Sequence, residues 1–449
     1  MRGVLRTCRA TLVGGLAAGL CSVFAGPAFA QAAPGGIGVS GGPELTPPPT
    51  IAGHTYQPAI PSRAYTAMPI GGWLVYPTFF GGAFYDSNPN QAPSGNNGSA
   101  GFRFVPSVLA ETENGIEKTT LYGMADGRVY TNPGAGPNNA DAVAANAGMI
   151  EEYQPLPDLS FRAQGDYLRQ KDLFSTFGIN PGVTYLNPTG IGLAPTIEPL
   201  SYNQFTGTVS VQKTFYRAFA SLDGSVVGIV YDQSNSAAPS PNGVTYTGTA
   251  RGGFWITPFV YTYAEGSLDQ RSQSTSALSS SGFRTVAGIG TSRIRLVRGE
   301  IYAGYQQEGY RAAGIGTVNS VVLGGRGYYY PTPLLTLEAS VDEALGASLL
   351  APTLVSSVGT ATRVTTALAK ATYSFGPEWS ASGRGGYIHS DYVNSSRRDD
   401  GWTAGGTLTY SIWRNIGLTL DYQHLELSSN VPFQSFSRDV ITIGGTYKF

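Results

Sequence analysis

Cysteine is nearly missing from this chain: only Cys8 and Cys21 occur, both within the first thirty residues. From position 31 onward there is therefore no disulfide, no thiolate nucleophile and no cysteine metal site. Charge is also scarce, since Asp, Glu, Lys and Arg make up 13% of the residues, roughly half the usual share. The two signs nearly balance, with 28 basic against 29 acidic residues, which leaves no electrostatic footprint for nucleic acid. Histidine is limited to three positions. Beyond the first thirty residues no uninterrupted apolar run approaches about 18 residues, which excludes helical membrane spans.

What the chain has instead is glycine, 60 residues of it, and 12% aromatics, at a mean hydropathy of −0.07. A value near zero is expected when apolar and polar residues alternate. The last residues do alternate: Asp439, Ile441, Ile443, Gly445, Tyr447 and Phe449 face one way, and Arg438, Val440, Thr442, Gly444, Thr446 and Lys448 the other. A period of two with one apolar side suits a strand between lipid and water, and only closed strands can span a bilayer when helices are excluded. Bacterial outer-membrane barrels end on a terminal Phe, and this tail resembles theirs, with Tyr447 and Phe449 as the expected assembly signal.

The first thirty residues read as a secretory signal. Arg2, Arg6 and Arg9 form the basic region, Thr11 to Ala25 the apolar core, and Ala28-Phe29-Ala30 the small-x-small site, so cleavage is expected between Ala30 and Gln31. A lipoprotein reading of Cys21 is disfavoured because Leu20 stands where a small residue belongs. Cleavage leaves 25 basic against 29 acidic residues. Residues 31–70, with Pro47-Pro48-Pro49, carry no period of two or 3.6 and read as a flexible, Pro/Gly-rich periplasmic leader. Such a segment serves as a linker or as a partner-binding or peptidoglycan-proximal stretch. It is too short to plug a large barrel as a folded domain, which disfavours TonB-dependent import.

From residue 71 to 449 the chain reads as a meander with two kinds of turn. Tight ones fall at Glu113-Asn114, Leu156-Pro157-Asp158, Tyr216-Arg217, Thr257-Pro258, Val297-Arg298-Gly299, Thr332-Pro333, Gly376-Pro377 and Trp413-Arg414-Asn415. Longer Gly-, Ser-, Asn- and Pro-rich connections alternate with them, among them Ser87 to Ser99, Thr131 to Ala140, Ser175 to Ser201, Ser234 to Gly243 and Ser348 to Thr360. A barrel with both ends in the periplasm needs an even strand number, and parity requires counting the Ala-rich stretch Asp141 to Tyr153 as a strand. The fold class expected is all-β: a transmembrane antiparallel up-and-down barrel of about 18 strands, with 16 as the alternative, short periplasmic turns and longer extracellular loops. Strands of about 14 residues rising roughly 3.3 Å each and tilted by about 40° give a wall about 35 Å tall, above an apolar band of about 25 Å.

Alternation assigns the faces. Leu159, Phe161, Ala163, Gly165 and Tyr167 face lipid while Arg162, Gln164 and Asp166 face inward; Leu335, Leu337, Ala339 and Val341 oppose Thr336, Glu338, Ser340 and Asp342. Phe259 to Leu268 and Phe283 to Leu296 stay ambiguous, with apolar residues on both faces. Trp73, Tyr76, Trp255, Trp379, Trp402, Tyr410 and Trp413 lie near strand ends, as interfacial girdles do. The candidate pore-lining charges are Arg103, Lys118, Asp126, Arg128, Arg162, Asp166, Asp223, Arg251, Arg326, Glu338, Asp342, Lys370, Arg384, Asp421 and Arg438, with Glu111 beside them. Their slight basic excess either sets up a field across the lumen or consists of pairs along the wall. The longest connection, Ser175 to Ser201, is a candidate to fold inward and narrow the lumen, or is an ordinary surface loop.

No catalytic or cofactor site emerges. His54 lies in the leader, and His389 and His424 near outer strand ends. His389-Ser390-Asp391 puts His and Asp on one face and Ser on the other, so a Ser-His pair cannot form within that strand. No GxSxG, HExxH or CxxC is present, and the glycines of Leu323 to Gly327 sit within a strand pattern as close-packing or kink positions. No cofactor, metal or catalytic residue is expected, and the expected partners are outer-membrane lipid, lipopolysaccharide and the barrel-assembly machinery.

The opening strand, Gly72-Trp73-Leu74-Val75-Tyr76-Pro77-Thr78-Phe79-Phe80-Gly81-Gly82-Ala83-Phe84-Tyr85-Asp86-Ser87-Asn88, resembles that of the putative β-barrel porin 2 group, with its aromatic-Pro and Asp-x-Asn elements. Phe104-Val105-Pro106 resembles the proline of that group's second strand, while Ser87 stands where the group often has a second acid. The resemblance implies an outer-membrane barrel of porin-like character and no particular substrate. Three functions fit this sequence: a porin for passive diffusion of small hydrophilic solutes, an exopolysaccharide export or assembly barrel, and a structural or adhesive barrel without a pore.

Overall fold

The computed structural model describes residues 67–89, 98–133, 141–171, 201–232, 242–274, 279–291, 294, 296–311, 316–347, 361–393, 396–430 and 435–449. The expected cleavage site at Ala30 and Gln31 and residues 172–200 of the longest connection lie outside them. The described residues form nineteen strands. The first seven are β1 (Met68–Ile70), β2 (Trp73–Asp86), β3 (Ser99–Glu113), β4 (Glu117–Tyr130), β5 (Ala142–Leu156), β6 (Leu159–Lys171) and β7 (Ser201–Thr214). Then come β8 (Ala218–Tyr231), β9 (Gly243–Trp255), β10 (Val260–Gln273), β11 (Ser280–Thr291), β12 (Val297–Tyr310) and β13 (Thr317–Thr332). The last are β14 (Leu335–Ala347), β15 (Ala361–Ser374), β16 (Trp379–Tyr392), β17 (Arg398–Trp413), β18 (Ile416–Ser429) and β19 (Phe436–Lys448).

Strands β2 to β19 each pair antiparallel with the next in sequence, and β19 returns to β2 from Val440↔Asp86 to Lys448↔Thr78, closing an 18-stranded barrel. Closure is forced by the alternation, because an open edge would leave backbone groups unpaired in lipid. Seven of the eight turns expected to be tight are short, whereas Val297-Arg298-Gly299 are not a turn but open β12, because Val297 continues the alternation of that strand; the Ala-rich stretch is a full strand, β5. Its Val143 and Met149 stand exposed on the outer face, and small side chains had weakened its pattern. In β3, pairing with β4 skips from Phe104↔Gly127 to Ser107↔Met124 around Pro106, which has no N–H to donate.

The short β1 pairs with Trp73 to Val75 of β2, directly below the point where β19 ends on that same edge. A two-residue turn at Gly71 (φ 57°) and Gly72 (φ 93°) makes this possible. Both positions need the left-handed conformation that glycine alone adopts without strain, as a type I′ hairpin turn requires. The last three residues of the segment read as leader thus extend the closing seam.

The two faces differ as the alternation demands. Phe102, Phe104, Leu222, Leu268, Ile301, Val321, Leu323 and Ile443 are exposed on the outer face, where lipid covers them. The inner face carries the buried polar residues, among them Asp86, Asp126, Arg251, Glu300 and Arg438. One junction departs from this regularity. Between β13 and β14 the ladder runs only from Thr332↔Leu335 up to Gly325↔Val341, and among the described residues Thr317 to Gly324 have no ladder partner on the β14 side.

Candidate functional site: the barrel interior

All fifteen candidate charges fall on the interior face, and most are engaged with near neighbours along the wall. Arg103 grips Asp126 with two bonds of 2.9 Å, and Arg128 adds a third at 3.0 Å. Arg438 makes a bidentate contact with Asp86, with Nη2 at 2.5 Å, while Tyr130 Oη donates to the same carboxylate at 2.9 Å. Arg384 holds Asp421 through both nitrogens, at 2.9 and 3.0 Å, and also donates to Thr407. Arg162 pairs with Glu152 at 2.7 Å, and Lys118 with Glu111 at 3.6 Å. Asp166 accepts from Gln164 Nε2 at 2.6 Å and Asp223 from Ser221 Oγ at 3.3 Å. Lys370 stands between Glu338 and Arg384 in the ladder.

The densest part of the interior spans β9 to β14. Glu300 on β12 receives Arg251 from β9 at 2.6 Å and Arg326 from β13 at 2.5 Å, and Tyr261 Oη donates to it at 3.2 Å. The Arg251 guanidinium also lies 3.6 Å from the Tyr263 ring centroid, a cation–π contact, and 3.6 Å from Glu265. Arg284 on β11 reaches Asp342 on β14 at 2.9 Å, and Tyr302 Oη donates to the same carboxylate. Around these ions pack Phe219, Trp255, Tyr261, Tyr263, Val286, Tyr302 and Val322, all buried.

Glycine makes these long reaches possible. Tyr261 stands opposite Gly290 and Tyr263 opposite Gly288. Tyr302 stands opposite Gly324, and Tyr122 opposite Gly148. In each pair the ring lies flat over the partner strand, and a Cβ on the glycine would collide with it. An aromatic lying over a cross-strand glycine covers bare backbone and lets its hydroxyl reach one strand further.

Two groups escaped the reading from sequence. Asp86, at the end of β2, is one such interior charge, and Glu265, Arg271, Arg284 and Glu300 are others that the alternation of β10, β11 and β12 concealed. Those strands carry apolar residues on both faces because Tyr261, Tyr263 and Val286 belong to the interior cluster. Three of these five charges are acidic and two basic, so they narrow the slight basic excess. Tyr76 and Trp255 were expected in the lipid-facing girdles but face inward: Tyr76 packs with Leu109, Tyr122 and Ile150, and Trp255 packs with Phe219 and Tyr261. Proximity to a strand end sets height, whereas parity sets the face. Trp379, stacked on Tyr410 at 4.4 Å, and the exposed Trp402 and Trp413 do stand on the outer face.

Both described histidines also stand on the outer face. His389 Nδ1 lies 2.7 Å from Asp400 and Nε2 3.2 Å from Asp391, while Ser390 is buried on the opposite face. His424 Nδ1 lies 2.8 Å from Asp439, and its ring is 4.5 Å from that of Trp402. Among the described residues no group of three or more His, Cys, Asp or Glu side chains is placed to hold a metal ion. Tyr447 and Phe449 stand exposed on the outer face with their rings edge to face at 4.7 Å, and the Phe449 amide donates to Pro77 O at 3.2 Å.

A closed antiparallel 18-stranded wall, apolar outside and charged inside, defines a transmembrane β-barrel of the porin type. The family model for putative beta-barrel porin 2 matches residues 64–449, and the chain belongs to that family. No curated protein matches it significantly. Solved structures similar in layout include the siderophore receptor PirA from Pseudomonas aeruginosa, at 7% identity and a TM-score of 0.40, covering 86% of this chain and 81% of that one. PirA from Acinetobacter baumannii follows at 6% and 0.43, covering 86% and 81%. The FrpB iron transporter of Neisseria meningitidis shows 9% and 0.44, covering 83% and 82%. At these values the likeness bears on neither cargo nor mechanism.

Proposed function

We propose that this protein forms a water-filled channel in the outer membrane of a Gram-negative bacterium for passive diffusion of small hydrophilic solutes. The observation that supports this reading is the interior face of a closed 18-stranded wall, which carries ionic side chains at positions on most of its strands. Eighteen strands enclose more space than their own side chains fill, and charged groups on the inner face keep that space wet. Because Arg103, Arg384 and Arg438 are each engaged by a carboxylate beside them, their fields cancel locally. The channel therefore discriminates weakly between cations and anions. The short turns face the periplasm and the long connections face outward, where the wall meets lipopolysaccharide. Insertion through the barrel-assembly machinery rests on Tyr447 and Phe449.

Planar-bilayer recording of the purified, heat-modifiable protein tests this. Stepwise conductance with a reversal potential near zero in a salt gradient is the expected result. Folded protein that gives no conductance steps overturns the channel reading and leaves export or adhesion to be tested instead.

A further inference from the structure

The ladder between β13 and β14 stops at Gly325↔Val341. Continuing its register would set Leu323 opposite Glu343 and Val321 opposite Leu345, with all four side chains on the outer face. Tyr305 pairs with Val321 at the upper girdle and Val297 with Tyr329 at the lower one. A zipped wall would therefore place Glu343 inside the apolar band, among lipid tails, where a carboxylate is costly. The strand avoids this by leaving the wall.

Above Val341, β14 crosses the interior face of β13. The Leu345 amide donates to Gln306 Oε1 at 3.1 Å and its carbonyl accepts from Arg271 at 3.4 Å, both partners being interior residues of β12 and β10. Leu345 itself is 2% exposed and packs with Tyr310, Val318 and Ala361. β15 follows, paired with β14 as far as Ala347↔Ala361 and with β16 as far as Thr362↔Tyr392. The upper edge of β13 is bridged by side chains in place of a ladder. Arg363 donates to Ser320 Oγ at 3.1 Å and to the Asn319 carbonyl at 3.4 Å, and Ser320 Oγ donates to Glu343 at 2.8 Å.

Unpaired backbone at lipid depth is tolerated only where protein or water satisfies it, so this opening is a built feature of the wall. From these observations we infer that the β13–β14 junction is a lateral gate between the barrel interior and the outer leaflet, and that it passes an amphiphile bearing an acyl chain. The polar bridge of Glu343, Ser320 and Arg363 stands at head-group height. Below it, Val322 on the inside and Val321 and Leu323 on the outside give an acyl chain an apolar path along the β13 edge. The gate is shut by side-chain contacts alone. Opening it breaks a few hydrogen bonds and no ladder.

Two measurements test the gate, and neither depends on the conduction of hydrophilic solutes. The first uses cysteine pairs, since both native cysteines lie at positions 8 and 21, outside the barrel. In outer membranes, Q306C/L345C is expected to cross-link and V321C/L345C is not; the reverse pattern means that the wall is zipped and overturns the proposal. The second places a benzophenone side chain at Val322, or at Ser225 on the interior face of β8 as the control, in liposomes of phosphatidylcholine with lysophosphatidylcholine. Illumination is expected to give at least tenfold more lipid adduct from position 322 than from 225, and E343L/R363L is expected to abolish the excess. Equal yields at the two positions, or none at 322, overturn the proposal. Failed conductance with positive lipid adducts sinks the channel and spares the gate, and the opposite pair of results does the reverse.

Discussion

The barrel has two special junctions, and they behave oppositely. The β19–β2 seam joins strands at opposite ends of the sequence, yet it is zipped along its length: nine ladder pairs run from Val440↔Asp86 to Lys448↔Thr78, and β1 completes the edge below. The β13–β14 junction joins neighbours linked by a two-residue turn, yet it opens halfway up. Sequence proximity therefore does not decide which edges hold. What decides is whether alternation continues to place apolar residues in lipid. Ile441 and Ile443 maintain it at the seam, whereas Glu343 ends it at the other junction.

The largest expected effect tests the buried ion pair at the seam. Arg438→Ala leaves Asp86 buried without its main partner, which typically costs about 3–5 kcal/mol. Chemical unfolding of the barrel in liposomes is expected to show that loss. An unchanged midpoint means that the pair does not hold the seam. The next concerns backbone contact. A Cβ at Gly444 would meet Gly81 O at 2.6 Å and the Phe80 ring at 2.5 Å, so Gly444→Val is expected to destabilise by about 1–3 kcal/mol through overpacking. The same measurement checks it.

Converting one junction into the other sharpens the contrast most directly. In E343L/R363L the outer face of a zipped β14 and β15 becomes apolar. Amide exchange at Asn319 to Leu323 is then expected to slow by roughly tenfold, equivalent to about 1.4 kcal/mol. If those amides exchange as before, Glu343 is not what opens the wall. The smallest expected effect belongs to the interior. Arg384→Ala removes the cationic partner of Asp421 and is expected to shift the reversal potential modestly toward cation preference, with a loss of stability below about 1 kcal/mol. A shift toward anions contradicts the paired-wall account.

How much of this was visible beforehand follows from the range of each interaction. The fifteen charges could be assigned to one face because side-chain direction alternates within a strand and needs no knowledge of neighbours. The tight turns were legible for the same reason, since Pro, Asn and Gly act locally. The girdle assignment of Tyr76 and Trp255 failed because height along the wall was read without parity. The aromatic–ionic cluster was hidden because Arg251 meets Glu300 three strands away, across glycines whose role shows only once registers are known. The consecutive acids Asp342 and Glu343 were the one available sign that β14 could not stay in the wall.

Taken alone, the sequence determined a closed barrel of about 18 strands, the lipid and interior faces of most of them and the interior position of fifteen charges, all consequences of a period of two repeated between turns. The tertiary structure decided which charges meet, how β1 completes the seam, and where the wall opens. Those outcomes depend on register between strands and on the reach of long side chains over glycine, which no single strand encodes.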